Sequence, residues 1–224
     1  IIGNTGDYLH VSHANIGGGK TDGVIDDVIN IQSTQREDGR VENTVTISRT
    51  HHGIASSTFS GNNNVTFTRI FVPRGSELLG VQGATPPNEQ LFDSTYGLYE
   101  DKDLQAVESV LIDQATGTHI SESFGKTSFG HWLQTAPGTT STLTFRYVLP
   151  SDILIEPAQT AWNQVKTFVG VPQTVQHSIF VQQQPGVEYR KTLYSFQPNS
   201  RYQSIWSTGE SLLGAEFSQD QDGF

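Results

Sequence analysis

Apolar residues recur at every second position along much of this chain, and this alternation constrains the fold more than any other feature of the sequence. In residues 142–150, Leu143, Phe145, Tyr147 and Leu149 share one side of an extended chain, while threonines and an arginine occupy the other. Period-two alternation of β-branched and aromatic residues is typical of strands with one buried face. The sequence therefore predicts an all-β fold whose strand content exceeds the roughly 20–25% average, with more than about a third of the residues in strands.

The same alternation predicts strands elsewhere in the chain. Within residues 65–72, Val65, Phe67 and Phe71 are aligned on one face. The other predicted strands cover residues 8–12, 24–33, 41–49, 77–81, 107–113, 177–182 and 191–196. Only residues 101–109 have a helical pattern, and they follow the Pro86-Pro87 pair.

Turn residues separate these strands and indicate how they are connected. Asp38-Gly39 lies between two alternating segments, and glycine supplies the positive φ that hairpin turns require, so residues 24–49 are predicted to form a hairpin. Many short strands without intervening helices favour an antiparallel β-sandwich of the immunoglobulin-like kind, or two packed β units. We expect a main sandwich over residues 1–155 with an insertion at about 84–122. Residues 156–224 are expected to be a connector followed by strands that pack on the sandwich or form a second small β unit.

Composition restricts the classes of partner. The chain has no cysteine, which removes disulfides, thiolate metal sites and cysteine nucleophiles. Its net charge of −10 is unfavourable for nucleic acid and for anionic lipid, because both are bound through lysine and arginine. No apolar run approaches the roughly 20 residues that span a bilayer. The chain also has no methionine, so Ile1 is expected to be an internal residue of a longer protein.

Several phrases spread along the chain resemble one bacterial family. They are Asp7-Tyr8-Leu9, Asn15-Ile16-Gly17-Gly18-Gly19-Lys20, the Asp38-Gly39 turn with the strand ending Arg49-Thr50-His51, Arg69-Ile70-Phe71-Val72-Pro73-Arg74-Gly75-Ser76, Gly125-Lys126-Thr127-Ser128-Phe129-Gly130-His131-Trp132, Ala136-Pro137-Gly138, Tyr147-Val148-Leu149-Pro150 and Gln183-Gln184-Pro185-Gly186. In this order they are similar to the C-terminal β region of the family known as domain of unknown function 4012.

The resemblance implies a location and no activity. Members of that family look like envelope proteins with one membrane helix near the N-terminus, a helical middle and this β portion outside the membrane. These 224 residues are accordingly expected to be extracellular, at the surface of a bacterium, in a parent protein anchored in the membrane. The family supplies no catalytic residue to transfer. The insertion at about 84–122 is longer than the family pattern and is a candidate binding surface.

A glycine-rich string ends like a phosphate-binding loop. The residues that the family shares are Asn15, Gly17, Gly18, Gly19 and Lys20. A genuine phosphate loop has glycine at its first position and leads from a strand into a helix, whereas this string begins with alanine and leads into a predicted strand. The favoured interpretation is therefore a structural turn in which Asn15 bonds local backbone and Lys20 meets a carboxylate.

Other candidate sites lack the spacing that their chemistry needs. Ser128 lies in the segment from Gly125 to Gly130, which is one residue too long for a nucleophile elbow. Only the fold can show whether the His131 side chain reaches Ser128. His10 and His13, and the neighbours His51 and His52, diverge on a strand and make poor zinc pairs. Three acidic clusters are candidates for calcium binding, with solvated acidic loops as the default interpretation. They are Asp22 with Asp26 and Asp27, Glu100 with Asp101 and Asp103, and Asp220 with Asp222.

Three functions remain open on the sequence alone. We expect a non-catalytic envelope module with a structural or adhesive role, no cofactor, and an envelope protein or polysaccharide as partner. The alternative is a carbohydrate-binding module, for which exposed aromatic residues are needed; a hydrolase is the third. The aromatic candidates near turns and connectors are Tyr96, Tyr99, Trp162, Tyr202 and Trp206.

Overall fold

The computed structural model describes residues 6–16, 19, 21–88, 102, 110–151, 153, 175–186 and 190–202. Of these described residues, 58% lie in strands. The all-β prediction is confirmed, and so is the predicted strand content. In the part of the chain that the structure describes, no helix has the length and apolar character needed to cross a bilayer.

Eleven strands and one short 3-10 turn make up the regular structure of the described ranges. The strands are β1 (Asp7–Asn15), β2 (Ile25–Gln35), β3 (Val41–His51), β4 (Asn64–Pro73), β5 (Glu77–Gln82), β6 (Val110–Ile112), β7 (His119–Ser123), β8 (Lys126–Thr135), β9 (Thr140–Val148), β10 (Ile179–Gln182) and β11 (Arg190–Gln197). The 3-10 turn covers Asp22–Val24, directly before β2. Two of these strands, β7 and β8, were not predicted.

The strands form two packed sheets. The six-stranded sheet has the order β10-β1-β4-β8-β7-β6, and the five-stranded sheet has the order β11-β2-β3-β9-β5. Consecutive strands β2 and β3 are antiparallel through the predicted hairpin, and Gly39 in its turn has a φ of 85°. Apolar side chains from the inner faces of both sheets, such as Leu9, Ile47 and Phe145, form the common core.

The prediction of purely antiparallel sheets is wrong at one edge of each sheet. Strand β10 runs parallel to β1, and β11 runs parallel to β2. Eight described strands lie between the two members of each pair in the chain, so no tight turn joins them and forces the antiparallel direction.

The two C-terminal strands join the sheets formed by the earlier part of the chain. Each adds an edge strand, so residues on both sides of the expected boundary at 155 share the same two sheets. The boundary itself lies among residues outside the described part. Two strands of the expected insertion, β6 and β7, extend the six-stranded sheet. Residues 89–101 and 103–109 of the insertion lie outside the described part.

Candidate binding face

The outer surfaces of the two sheets have different chemistry. On the six-stranded sheet, alternate residues of β10, β1, β4 and β8 face away from the core and carry rings and basic groups. We call the group formed by Tyr8, His10, Phe71, Lys126, Phe180 and Gln182 the aromatic face. On the five-stranded sheet, β3 and β9 present short hydroxyl side chains. We call the group formed by Thr46, Ser48, Thr50, Thr140, Thr142 and Thr144 the hydroxyl face.

The aromatic face is held together by contacts between neighbouring strands. The rings of Tyr8 and Phe180 have centroids 6.1 Å apart and planes inclined by 26°. The Tyr8 hydroxyl donates to Oε1 of Gln182 over 2.7 Å, and Nζ of Lys126 lies 4.3 Å from the centre of the Tyr8 ring. His10 and Phe71 have ring centroids 5.7 Å apart. These contacts fix the positions of the side chains and leave 46% of Phe180 exposed.

A second group of rings adjoins the aromatic face along β4 and β8. The centroids of Phe67 and Trp132 are 5.0 Å apart in an edge-on arrangement. Cζ of Arg69 lies 5.7 Å from the centre of Phe67 and 5.9 Å from that of Phe71, within the range of cation–π contacts. Gly130 is needed opposite them, because a Cβ there would lie 2.7 Å from two carbons of the Phe67 ring.

The outward positions of the six-stranded sheet carry basic side chains and no carboxylate within the described strands. Lys126 and Arg69 are the permanent cations there, and His10 and His119 lie on the same side. Burial, followed by the charges of His131 and Arg69, lowers the pKa of His119, so this imidazole is neutral near pH 7. The chain as a whole has 23 acidic and 13 basic residues, so the absence of carboxylates from the outward positions of these described strands differs from its overall composition.

The hydroxyl face is a ladder of paired threonine and serine side chains. Register neighbours on β3 and β9 bring Thr46 Oγ1 within 3.3 Å of Thr144 Oγ1, and Thr50 Oγ1 within 2.9 Å of Thr140 Oγ1. The hydroxyl groups therefore bond one another across the strands. Such a surface is well hydrated and has no ring or cation in its ladder, so it is a natural control for the aromatic face.

A buried ionic cluster lies between the sheets and was not predicted. The Asp27 carboxylate on β2 is 2.9 Å from Nε of Arg49, 2.8 Å from a terminal nitrogen of Arg190 and 3.1 Å from Nε2 of His13. Burial favours a higher pKa for the Asp27 carboxyl, but His13, Arg49 and Arg190 outweigh burial and hold that pKa well below its usual range. The sequence feature that indicates this cluster is an aspartate, Asp27, at a core-facing position of β2 between Ile25 and Ile29.

This cluster includes a chain of a hydroxyl, an imidazole and a carboxylate that superficially resembles a catalytic triad. Oγ1 of Thr68 is 3.0 Å from Nδ1 of His13, and the other ring nitrogen faces Asp27. Burial is the main reason why the pKa of His13 is lowered. All three side chains are enclosed between the sheets, and Asp27 is already occupied by two guanidinium groups. A nucleophile needs room for substrate beside it, so the arrangement is structural.

A second buried polar cluster lies at the opposite end of the core, around Asp7. Nδ2 of Asn43 donates to Oδ2 of Asp7 over 2.7 Å, the Tyr8 amide donates to Oδ1 of Asp7, and Ser33 donates to Oδ1 of Asn43. Burial raises the pKa of the Asp7 carboxyl to about 7, and the hydrogen bonds and the charge of Lys126 offset only part of that effect.

Two described residues of the glycine-rich string, Asn15 and Gly19, are joined by a hydrogen bond. Nδ2 of Asn15 donates to the carbonyl oxygen of Gly19 over 2.5 Å, which is the local backbone bond predicted for this residue. A Cβ on Gly19 would lie 2.7 Å from Cβ of Asn62, so glycine is required by close packing. The 3-10 turn and β2 follow instead of the helix that a phosphate loop needs. Gly17, Gly18 and Lys20 lie outside the described residues.

The hydrolase and zinc candidates are not assembled. Ser128 faces outward from β8 and lies 2.8 Å from the Ser121 hydroxyl, whereas His131 faces the other side, with Nε2 2.8 Å from the carbonyl oxygen of Thr116. His10 and His13 likewise lie on opposite faces of β1, as the alternation predicts. Within the described ranges, no three His, Asp or Glu side chains lie close enough to hold a metal ion.

Most of the predicted acidic clusters and aromatic candidates lie outside the described residues, and the described ones do not form a common site. Asp26 pairs with His52 at 2.7 Å, Asp22 contacts Arg49, and Asp27 is in the buried cluster, so these three do not share a site. Of the candidate aromatics, Tyr202 is 39% exposed after β11. The remaining candidates lie outside the described residues: Tyr96, Tyr99, Trp162 and Trp206, with Glu100, Asp101, Asp103, Asp220 and Asp222 of the acidic clusters.

The rings of the aromatic face were missed because alternation alone does not say which side is inside. Phe67 and Phe71 share a face, as predicted, but that face is the outer one, and Ile70 and Val72 point into the core. Comparisons with protein-family models, with curated proteins and with solved structures found no match to this chain. The similarity to domain of unknown function 4012 therefore stays a prediction.

Proposed function

We propose that this chain is a non-catalytic interaction module of a bacterial cell envelope, displayed outside the membrane, and that the aromatic face holds its partner. The observation that carries the proposal is the contrast between the two sheets. One outer surface consists of paired hydroxyls, whereas the other combines aromatic rings with cations in an acidic protein. Aromatic residues and arginine are enriched where proteins bind partners.

The hydrolase alternative lacks support from the geometry of its candidates. Ser128 and His131 point to opposite sides of β8, and the Thr68, His13 and Asp27 chain is enclosed. A module that only binds needs none of these groups at its surface. The described strands form two packed sheets. The immunoglobulin-like character of this sandwich, with faces and loops that contact partners, is part of the proposal.

A polysaccharide is the partner class that we favour over a protein. Sugars present apolar C–H surfaces beside hydroxyl groups, and they are bound where rings and hydrogen-bonding side chains alternate. The aromatic face has this mixture, since Tyr8 and Phe180 stand beside Gln182 and His10. The exposed aliphatic residues of the same sheet, Val110 and Ile112, lie on β6 at its other edge, away from these rings.

Retention on an array of neutral polysaccharides, acidic polysaccharides and peptidoglycan fragments tests the proposal. We expect the wild-type chain to bind at least one class, and the double variant Tyr8→Ala and Phe180→Ala to lose about tenfold in affinity, since aromatic contacts are worth about 0.5–1.5 kcal/mol each. The matched control, Thr46→Ala with Thr144→Ala on the hydroxyl face, should bind as the wild type does. Equal retention of the aromatic double variant, or shortening of the bound polysaccharide during incubation, would contradict the proposal.

A further inference from the structure

We infer that the ligand of the aromatic face is an acidic polysaccharide whose charge is carried by carboxylates on its sugar rings. The inference rests on the proposed function and specifies the chemical class of the ligand. Its basis is the position of a lysine ammonium directly over a tyrosine ring of that face.

The charge distribution points to an anionic ligand. Across the outward positions of β10, β1, β4, β8, β7 and β6, the described strands present lysine, arginine and histidine but neither aspartate nor glutamate. Asp7, the nearest neighbour of Tyr8 in the chain, turns its carboxyl inward to Asn43. The hydroxyl side of the molecule differs, because Glu42 faces outward there and pairs with Arg146 at 2.6 Å. Within the described strands, outward carboxylates are thus confined to the five-stranded sheet.

Lys126 is the cation best placed to recognise the anion. Its Nζ lies over the Tyr8 ring at 4.3 Å, so the charge is positioned directly beside the ring that we assign to sugar contact. A ring and an ammonium held together can contact the apolar surface and the carboxylate of one sugar unit simultaneously. The Tyr8 hydroxyl is itself fixed by Gln182, which makes the pair a preorganised group.

The same features distinguish a carboxylated polysaccharide from other polyanions. A chain of net charge −10 repels every polyanion, so charge alone does not select among them. Polymers of a polyol phosphate have no sugar ring in their backbone to lie against Tyr8 and Phe180. A uronic acid polymer supplies a ring beside a carboxylate in every unit, so one unit can contact Tyr8 and Lys126 together.

Isothermal titration calorimetry of the whole chain tests the inference with octagalacturonate and with the same oligomer after reduction of its carboxyl groups to alcohols. We expect the acidic oligomer to bind about tenfold more tightly than the reduced one. Lys126→Gln should weaken binding of the acidic oligomer about fivefold, the order of one partly exposed charge contact, and change binding of the reduced oligomer less than about twofold. Lys191→Gln, the same change of charge on β11 of the other sheet, should leave both affinities unaltered.

The outcomes separate this inference from the proposed function. Equal affinity for the two oligomers, or unchanged affinity of Lys126→Gln, overturns the acidic ligand and leaves the aromatic face as a carbohydrate site. Equally tight binding of poly(glycerol phosphate) also overturns it, because that polymer offers charge without sugar rings. If neither oligomer binds and the Tyr8→Ala and Phe180→Ala variant matches the wild type on the array, both proposals fail.

Discussion

The guanidinium of Arg190 lies 2.8 Å from the carboxylate of Asp27, and the two residues are register partners in the parallel pairing of β11 with β2. The same carboxylate contacts Arg49 from β3 and His13 from the other sheet. A buried carboxylate held by guanidinium groups from β3 and β11 and by an imidazole from β1 fixes the relative positions of these strands. We interpret this cluster as the device that sets the register of the C-terminal edge strand.

Removing the charge of Asp27 should destabilise the fold severely. In Asp27→Asn, Arg190 stays buried without a counter-charge and Arg49 keeps only Asp22, and breaking a buried pair in this way costs about 3–5 kcal/mol. The control is Asp26→Asn, one residue away, which loses only an exposed contact with His52, worth at most about 1 kcal/mol. Urea unfolding measures both variants. Similar stabilities for the two would show that the buried cluster does not hold the sheets together.

The raised pKa of Asp7 predicts a stability that falls as pH rises. Burial lifts the pKa of this carboxyl from 3.8 to about 7, so between these values the folded chain keeps a proton that the unfolded chain has released. Linkage then makes the free energy of unfolding decrease through this window. Relative to Asp7→Asn, the wild type should lose about 2–3 kcal/mol between about pH 5 and pH 8. Urea titrations at both values measure the difference, and parallel curves for the two proteins would refute the assignment.

Gly83 should not tolerate a side chain, whereas Gly80 should. Gly83 has a φ of 80°, and a Cβ there would lie 2.0 Å from the carbonyl oxygen of Thr142. Gly80 lies in β5 with nothing within 4 Å of such a Cβ. We expect Gly83→Ala to cost at least about 2 kcal/mol and Gly80→Ala to change stability by less than about 1 kcal/mol. Equal denaturation midpoints for the two variants would contradict the described path of the chain after β5.

The hairpin between β7 and β8 should be stabilised by a single substitution. Its two turn residues, Phe124 and Gly125, have φ values of 53° and 70°, the pattern of a turn that favours Asn-Gly. Phe124 is 88% exposed, so its ring contributes little to the fold. Phe124→Asn should raise the free energy of unfolding by about 1 kcal/mol, because asparagine adopts positive φ at lower cost. Phe124→Ala should bring no comparable gain; if it stabilises equally, removal of the ring rather than relief of backbone strain is responsible.

Local patterns in the sequence predicted the parts of the fold that local chemistry determines. Val45 and Ile47 in β3 and Leu143 and Phe145 in β9 lie in the core as their alternation indicates. Strand β8 was missed because glycine at position 130 and polar residues at positions 126–128 interrupt the apolar pattern around Phe129. The parallel edge strands β10 and β11 lie far from their partners in the chain, so no turn signal indicates their direction.

The candidate site was harder to predict than the fold. The ring of Phe71 is as apolar as a core residue, and only the position of Ile70 and Val72 in the assembled sandwich assigns it to the outer side. The contact of Lys126 with Tyr8 joins residues far apart in the chain, so no motif announces it. The buried cluster could have been predicted, because Asp27 stands among isoleucines at the core-facing positions of β2 and a buried carboxylate requires a cation beside it.

The most direct test of the binding face is an NMR titration that observes both sides of the sandwich at once. Hexagalacturonate and cellohexaose are added separately to the chain, and the aromatic ¹H–¹³C signals of Tyr8, Phe71 and Phe180 are followed with the methyl signals of Thr46 and Thr144. The account predicts that at least one sugar shifts the ring signals in a saturable way and leaves the threonine methyl signals in place. Shifts confined to the threonine methyls, or unchanged ring signals with both sugars, would contradict it.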